Sequence, residues 1–86
     1  MKSAIRAART ISAAQCRAAR ALLDWPREQL ATYSSVAIRT IVDFERGARA
    51  PRARTLTSLA ECFEAAGVIL VEENGDGPGV RLRKAK

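Results

Sequence analysis

The chain has 86 residues, 48% of them hydrophobic and 28% charged, which is the balance of one small globular domain and excludes both a disordered polymer and a second core. Fifteen Lys/Arg against nine Asp/Glu leave a formal charge of +6, so polyanions are the favoured partners. Two cysteines and no histidine are too few ligands for a zinc site, and no stretch has the length of a membrane span.

The charge is unevenly placed. Residues 1–60 hold eleven Lys/Arg and four Asp/Glu, residues 61–77 hold five acids and no base, and residues 78–86 hold four bases. Residues 1–11 read as a basic N-terminal segment, either a frayed solvated tail or an arm in which Lys2, Arg6 and Arg9 follow a phosphate backbone. This segment lacks the apolar core of a secretory signal, so a cytoplasmic location is expected. In that reducing compartment Cys16 and Cys62 read as small apolar core residues rather than a disulfide.

A domain over residues 12–67 follows, beginning with a helix. Ser12-Ala13-Ala14-Gln15 has the form of a capping box, with Ser12 as N-cap and Gln15 three places on, and Ile11 and Cys16 fit the hydrophobic staple around it. Cys16, Ala19, Arg20 and Leu23 share one face at helical spacing. Asp24-Trp25-Pro26 ends this helix, with Trp25 packing at the corner and Pro26 suited to the first position of the next. A second helix is predicted over about 26–33 and a third over about 37–46, closed by Gly47. The linker Ala48-Arg49-Ala50-Pro51-Arg52 is basic and non-helical. A fourth helix, about 53–66, buries Leu56, Leu59, Ala60, Phe63 and Ala66 and stops at Gly67.

The period then changes from helical to alternating. Val68-Ile69-Leu70-Val71 and Val80-Arg81-Leu82-Arg83 flank the turn-rich Asn74-Gly75-Asp76-Gly77-Pro78-Gly79, so residues 68–86 read as a β-hairpin. Val68, Leu70, Val80 and Leu82 are expected to cover the helices. Ile69 and Val71 would face outward beside an unpaired edge, which makes them the expected contact with a second copy of the chain.

Between Arg27 and Gly47, Leu30 and Ala31, then Val36, then Ile41 and Phe44, stand at the offsets where two short helices joined by a tight turn must bury side chains. That is the pattern of a helix-turn-helix, which presents its second helix to the DNA major groove. Residues 14–67 resemble the helix-turn-helix domain of the phage repressor and Cro class, the XRE family. The ending Asp43-Phe44-Glu45-Arg46-Gly47 is similar to its common close of apolar residue, Glu, polar or basic residue, Gly. The start (14–31) and the tail NGDGPGVRLR are similar to small rhizobial-type, hence bacterial, members. The resemblance implies a mainly α fold, a bundle of four or five helices, here with the C-terminal hairpin added. It also implies a partly buried ion pair between Arg20 and Glu45. Two positions depart from the family pattern: Ser35 stands where the turn often has Gly, and Ala37 replaces the usual Ser or Thr cap of the third helix.

The outer face of the third helix near its start carries the expected base-reading residues Ala37, Ile38, Arg39, Thr40 and Asp43. Arg39 is the foremost, because a guanidinium donates two parallel hydrogen bonds to guanine O6 and N7. Asp43 would accept from a cytosine amine or orient Arg39 one turn earlier. Arg27, where the family commonly has a phosphate-bonding Gln, and the run Arg46, Arg49, Arg52 and Arg54 are the expected phosphate contacts. The whole reads as a sequence-specific double-stranded DNA-binding regulator, a homodimeric repressor or autoregulator. A DNA-binding antitoxin of a toxin–antitoxin pair, or a protein-interaction module using an acidic surface at Glu61, Glu64, Glu72 and Glu73, are the alternatives. No cofactor, metal or small-molecule effector is expected, and no enzymatic site, since there is no His, no paired Cys and no Gly-rich phosphate loop after a strand.

Overall fold

The structure, a computed structural model, describes residues 10–84. Four helices, α1 (Ala13–Leu23), α2 (Arg27–Ser34), α3 (Ile38–Glu45) and α4 (Ala53–Ala65), precede an antiparallel hairpin of β1 (Val68–Val71) and β2 (Gly79–Leu82). The N-terminal arm expected at Lys2, Arg6 and Arg9 lies outside the described residues.

Local chemistry accounts for most of the helix ends. Gln15 N–H donates to Ser12 Oγ at 3.0 Å and Ser12 N–H to Gln15 Oε1 at 2.9 Å, so the capping box satisfies two N-terminal amides of α1. Asp24 closes α1 from the left-handed region, φ 59°, with its N–H on Ala21 O and that of Trp25 on Arg20 O. Pro26 is the N-cap of α2 rather than its first residue, and it adds no side-chain cap. At the other end of the motif Gly47 takes φ +75°, its N–H on Phe44 O at 3.0 Å while Ala48 N–H reaches Asp43 O at 2.8 Å. This double closure uses two otherwise orphaned carbonyls and ends α3 sharply.

The turn between α2 and α3 carries backbone strain at Ser35, which sits at φ 62°, ψ 25° without being glycine. Ser34 eases the turn: its Oγ accepts Val36 N–H at 3.2 Å and donates to Leu30 O at 2.7 Å. It does not reach α3, whose N-cap Ala37 makes no side-chain bond. The Ser35→Gly variant should therefore be more stable by about 1 kcal/mol, the ordinary cost of an L-residue in this region. A thermal melt would read this as a Tm higher by roughly 4–8 °C; an unchanged Tm would mean that the turn holds Ser35 without strain.

The core is small and lies where the four helices meet the hairpin. Phe63, Leu30, Ile41, Leu59, Val68 and Cys16 are its largest fully buried side chains, joined by Ile11, Ala19, Phe44 and Ala60. Ile11 and Cys16 are thus both in the core, as a staple requires. Trp25 stacks on Phe63 at 5.9 Å between ring centroids and meets the edge of Tyr33 at 4.9 Å, closing the corner between α1 and α2.

The hairpin pairs Val68 with Leu82, Ile69 with Arg81, Leu70 with Val80 and Val71 with Gly79. β1 lies against α4 and β2 against α1. Gln15, one of two buried polar residues among the described residues, fastens the hairpin to α1: its Nε2 donates to Val71 O at 3.1 Å and to Gly79 O at 2.9 Å. Two expectations for the strands need correction. Leu82, expected to cover the helices, is 46% exposed at the last position of β2, and Ile69 and Val71, expected to be exposed, are half-buried.

Candidate nucleic-acid interface

Helix α3 divides by face. Ile41 and Phe44 point into the core and fix the helix against α2 and α1, with Ala31 and Val36 packed beside them. Ala37, Ile38 and Arg39 are exposed at the start of the helix, while Thr40 and Asp43 are half-buried one turn on. Ile38, at 41% exposed, is a large apolar side chain left in water beside a cationic one. That combination suits a groove, where a thymine methyl and a guanine edge present matching chemistry. Arg39 makes no ion pair or side-chain hydrogen bond among the described residues. Asp43 does not orient it: its carboxylate lies 3.8 Å from Arg46 Nη2, a loose pair between a half-buried acid and an exposed base.

The far end of α3 is organised around one buried carboxylate. Glu45 is 3% exposed, yet its side chain accepts four hydrogen bonds. Arg20 grips it with both edges of its fork, Nε on Oε2 and Nη2 on Oε1, each at 2.8 Å. Arg27 Nε reaches Oε1 at 3.1 Å, and Cys16 Sγ donates to Oε2 at 3.0 Å. Arg17 Nη1 bonds the Glu45 backbone carbonyl at 2.6 Å, where the α3 dipole is negative and a cation is favoured. Arg20 also donates Nη1 to Trp25 O at 3.0 Å, tying the same cluster to the α1–α2 corner.

The electrostatics follow from this geometry. Burial pushes the Glu45 carboxyl up, but the bonds from Arg20 and Cys16, with Arg27 beside them, outweigh it and hold the group below the usual carboxylate value. Arg20 is raised, first by its hydrogen bond to Glu45. The Cys16 thiol is raised far above its usual value, by burial first and then by the Glu45 carboxylate it faces, so it is an inert donor and not a nucleophile. Cys16, read from the sequence as an apolar filler, thus has a polar partner as well.

Around this hub lie the expected phosphate residues. Arg27 is in the hub itself, with its side chain 44% exposed. Arg46 is 63% exposed in its side chain, and Arg49, Arg52 and Arg54 are exposed as well. Ala48 and Arg49 N–H groups both point to Asp43 O, so the linker folds back against the end of α3 and carries Arg49 with it. Arg52 is the N-cap of α4 and Arg54 lies in its first turn, where no acidic residue offsets the helix dipole. Sequence reasoning missed Arg17 and, beyond the place of Gln15 in the capping box, its tie to the hairpin. The packing of α3 and of the hairpin supplies these partners.

Among the described residues no group of acidic, thiol or imidazole side chains could hold a metal ion, and no helix is long and apolar enough to cross a membrane. No curated protein matches the chain. The helix-turn-helix family model does match, over residues 17–65, more than half of the chain and the span that runs from Arg17 through the turn to the last residue of α4. With two helices packed across a tight turn and a basic outer surface, the chain belongs to the XRE-type helix-turn-helix family of DNA-binding proteins.

Proposed function

We propose that the protein is a sequence-specific regulator that reads the major groove of duplex DNA with the start of α3 and represses its target, acting as a homodimer on a two-fold site. The observation that carries this reading is the division of α3. Its inner face is locked by Ile41 and Phe44, its far end by Glu45, and its outer start leaves Ile38 and Arg39 solvent-facing. Arg27, Arg46, Arg49, Arg52 and Arg54 contact phosphate on either side, while Ala37, Ile38, Arg39, Thr40 and Asp43 meet the bases. Two arginines at the uncapped start of α4 work against helix stability and favour an anion there, which supports a phosphate role over a solvated surface.

The Arg39→Ala variant tests base reading. Affinity for the preferred duplex should fall by ~1–3 kcal/mol, and discrimination should relax at one base pair of each half-site. An equal loss on every sequence would mean that Arg39 contacts phosphate instead.

Dimerisation through the hairpin is supported by the absence of a third strand among the described residues, which leaves the β1 and β2 edges unpaired, with Ile69 and Val71 half-buried on one face and Leu82 exposed on the other. Replacing Ile69 and Val71 with Lys should yield a monomer by sedimentation with native circular dichroism. A dimer that survives both changes uses another surface.

A further inference from the structure

We infer that Arg17 and Arg27 form a phosphate clamp at the C-terminal end of α3, with Glu45 as its positioning residue. The inference rests on the DNA-binding reading and extends it to a residue outside the basic run, Arg17, and to a division of labour among the three arginines of the hub.

The division is visible in their donors. Each guanidinium carries five N–H groups. Arg20 commits three of its nitrogens, Nε and Nη2 to Glu45 and Nη1 to Trp25 O, and its side chain is 17% exposed. It is the structural member. Among the described residues Arg27 commits Nε alone, which leaves both terminal nitrogens for an outside acceptor. Among the described residues Arg17 likewise commits Nη1 alone, to the Glu45 carbonyl, and it is exposed. Both exposed guanidiniums are therefore bonded to the same residue, one through its side chain and one through its backbone, with donors left over.

Charge supports the same conclusion. Three guanidiniums meet on Glu45, whose single carboxylate cannot neutralise them, so the cluster stays cationic. A phosphate oxygen is the planar-fork acceptor that arginine matches best. Each arginine is already held by one bond, so less side-chain freedom is lost when a phosphate arrives. The family's usual Gln at the start of α2 has no charge with which to reach both a carboxylate and a phosphate, so Arg27 gives this chain a fixed cation where the resemblance implies only a neutral donor.

The test uses the full chain and its preferred duplex over a range of salt concentrations, with Arg17→Gln, Arg27→Gln and Arg27→Lys. Arg17 is exposed and makes one side-chain bond among the described residues, so a thermal melt should show the Gln variant folded. Each Gln variant should flatten the plot of log affinity against log salt by about 0.9 per protomer, one phosphate contact each. Arg27→Lys should keep the slope but lose roughly tenfold in affinity, because one ammonium cannot hold Glu45 and a phosphate in a fixed fork. An unchanged slope in either Gln variant overturns the two-arginine clamp. Full affinity in Arg27→Lys overturns positioning by Glu45. Failure of the wild-type chain to bind any duplex in a salt-dependent way is a different result, and it would remove the DNA-binding reading itself.

Discussion

The Glu45→Gln variant should lose ~3–5 kcal/mol of stability, the usual consequence of removing one member of a buried, hydrogen-bonded charge cluster and leaving the others unpaired. A chain of this length has on the order of 4–13 kcal/mol in total, so the variant should melt at least about 12 °C lower and could be largely unfolded at 37 °C. The reason is the geometry of the hub. Glutamine keeps the shape of the side chain but offers one acceptor oxygen where two now receive four bonds, and Arg20, half-buried against Trp25 O, keeps its charge. Thermal or denaturant unfolding checks this, and a loss under about 1 kcal/mol would reduce the cluster to an ordinary surface pair.

The same carboxylate predicts the acid limb of the stability curve. Its folded value lies below the unfolded one, so its contribution is complete above the unfolded carboxyl value of about 4.3 and is lost as pH falls below that toward the folded value. The wild-type chain should lose stability steeply in that window, and Glu45→Gln should lose less there, having already lost the contribution at neutral pH.

The second large effect concerns DNA. Replacing Arg49, Arg52 and Arg54 together with Gln should lower the salt slope by about 0.9 for each phosphate contact removed. A wild-type protein making 6–10 such contacts would lose roughly 10³–10⁵ in affinity between 50 and 200 mM salt, and the triple variant should lose far less over that range. The companion signature is a gain in stability. Arg52 and Arg54 oppose the positive end of the α4 dipole, and relieving them should add about 0.3–1 kcal/mol each at low ionic strength. Weaker binding together with a higher melting temperature marks residues kept for function against stability. A solvated, non-binding run would show the second change without the first.

Much of this fold is written locally. Ser12 and Gln15 stand three apart before an apolar face, Asp24-Trp25-Pro26 ends one helix and allows the next, and Gly47 and Gly67 stand just past the ends of α3 and α4. Each is a contact between residues within a turn or two, decided by backbone dihedrals and spacing that the chain carries wherever it folds. The division of α3 into an inner and an outer face is legible for the same reason, since a period of 3.6 residues sorts Ile41 and Phe44 from Ile38 and Arg39 before any partner is known.

The partners of long, flexible side chains were not legible in that way. Asp43 stands within reach of Arg39 and Arg46 on the same helix, and only the tertiary structure pairs it with Arg46. The pairing of Arg20 with Glu45 was implied by the resemblance, but Arg17, Arg27 and Cys16 lie 28, 18 and 29 residues from Glu45, and only the packing of α1, α2 and α3 brings them to the same residue. The tie between Gln15 and the hairpin spans 56 and 64 residues. Leu82 alternates as an inward residue should and is still exposed, because strand period assigns a face but not what packs against it at the end of β2. The sequence by itself determined the helices, the turn, the outer face of α3 and the basic surface, all set by local period and capping. Only the tertiary structure decided which arginines are spent on Glu45 and which keep free donors, because that depends on how helix axes cross, and no spacing along the chain records it.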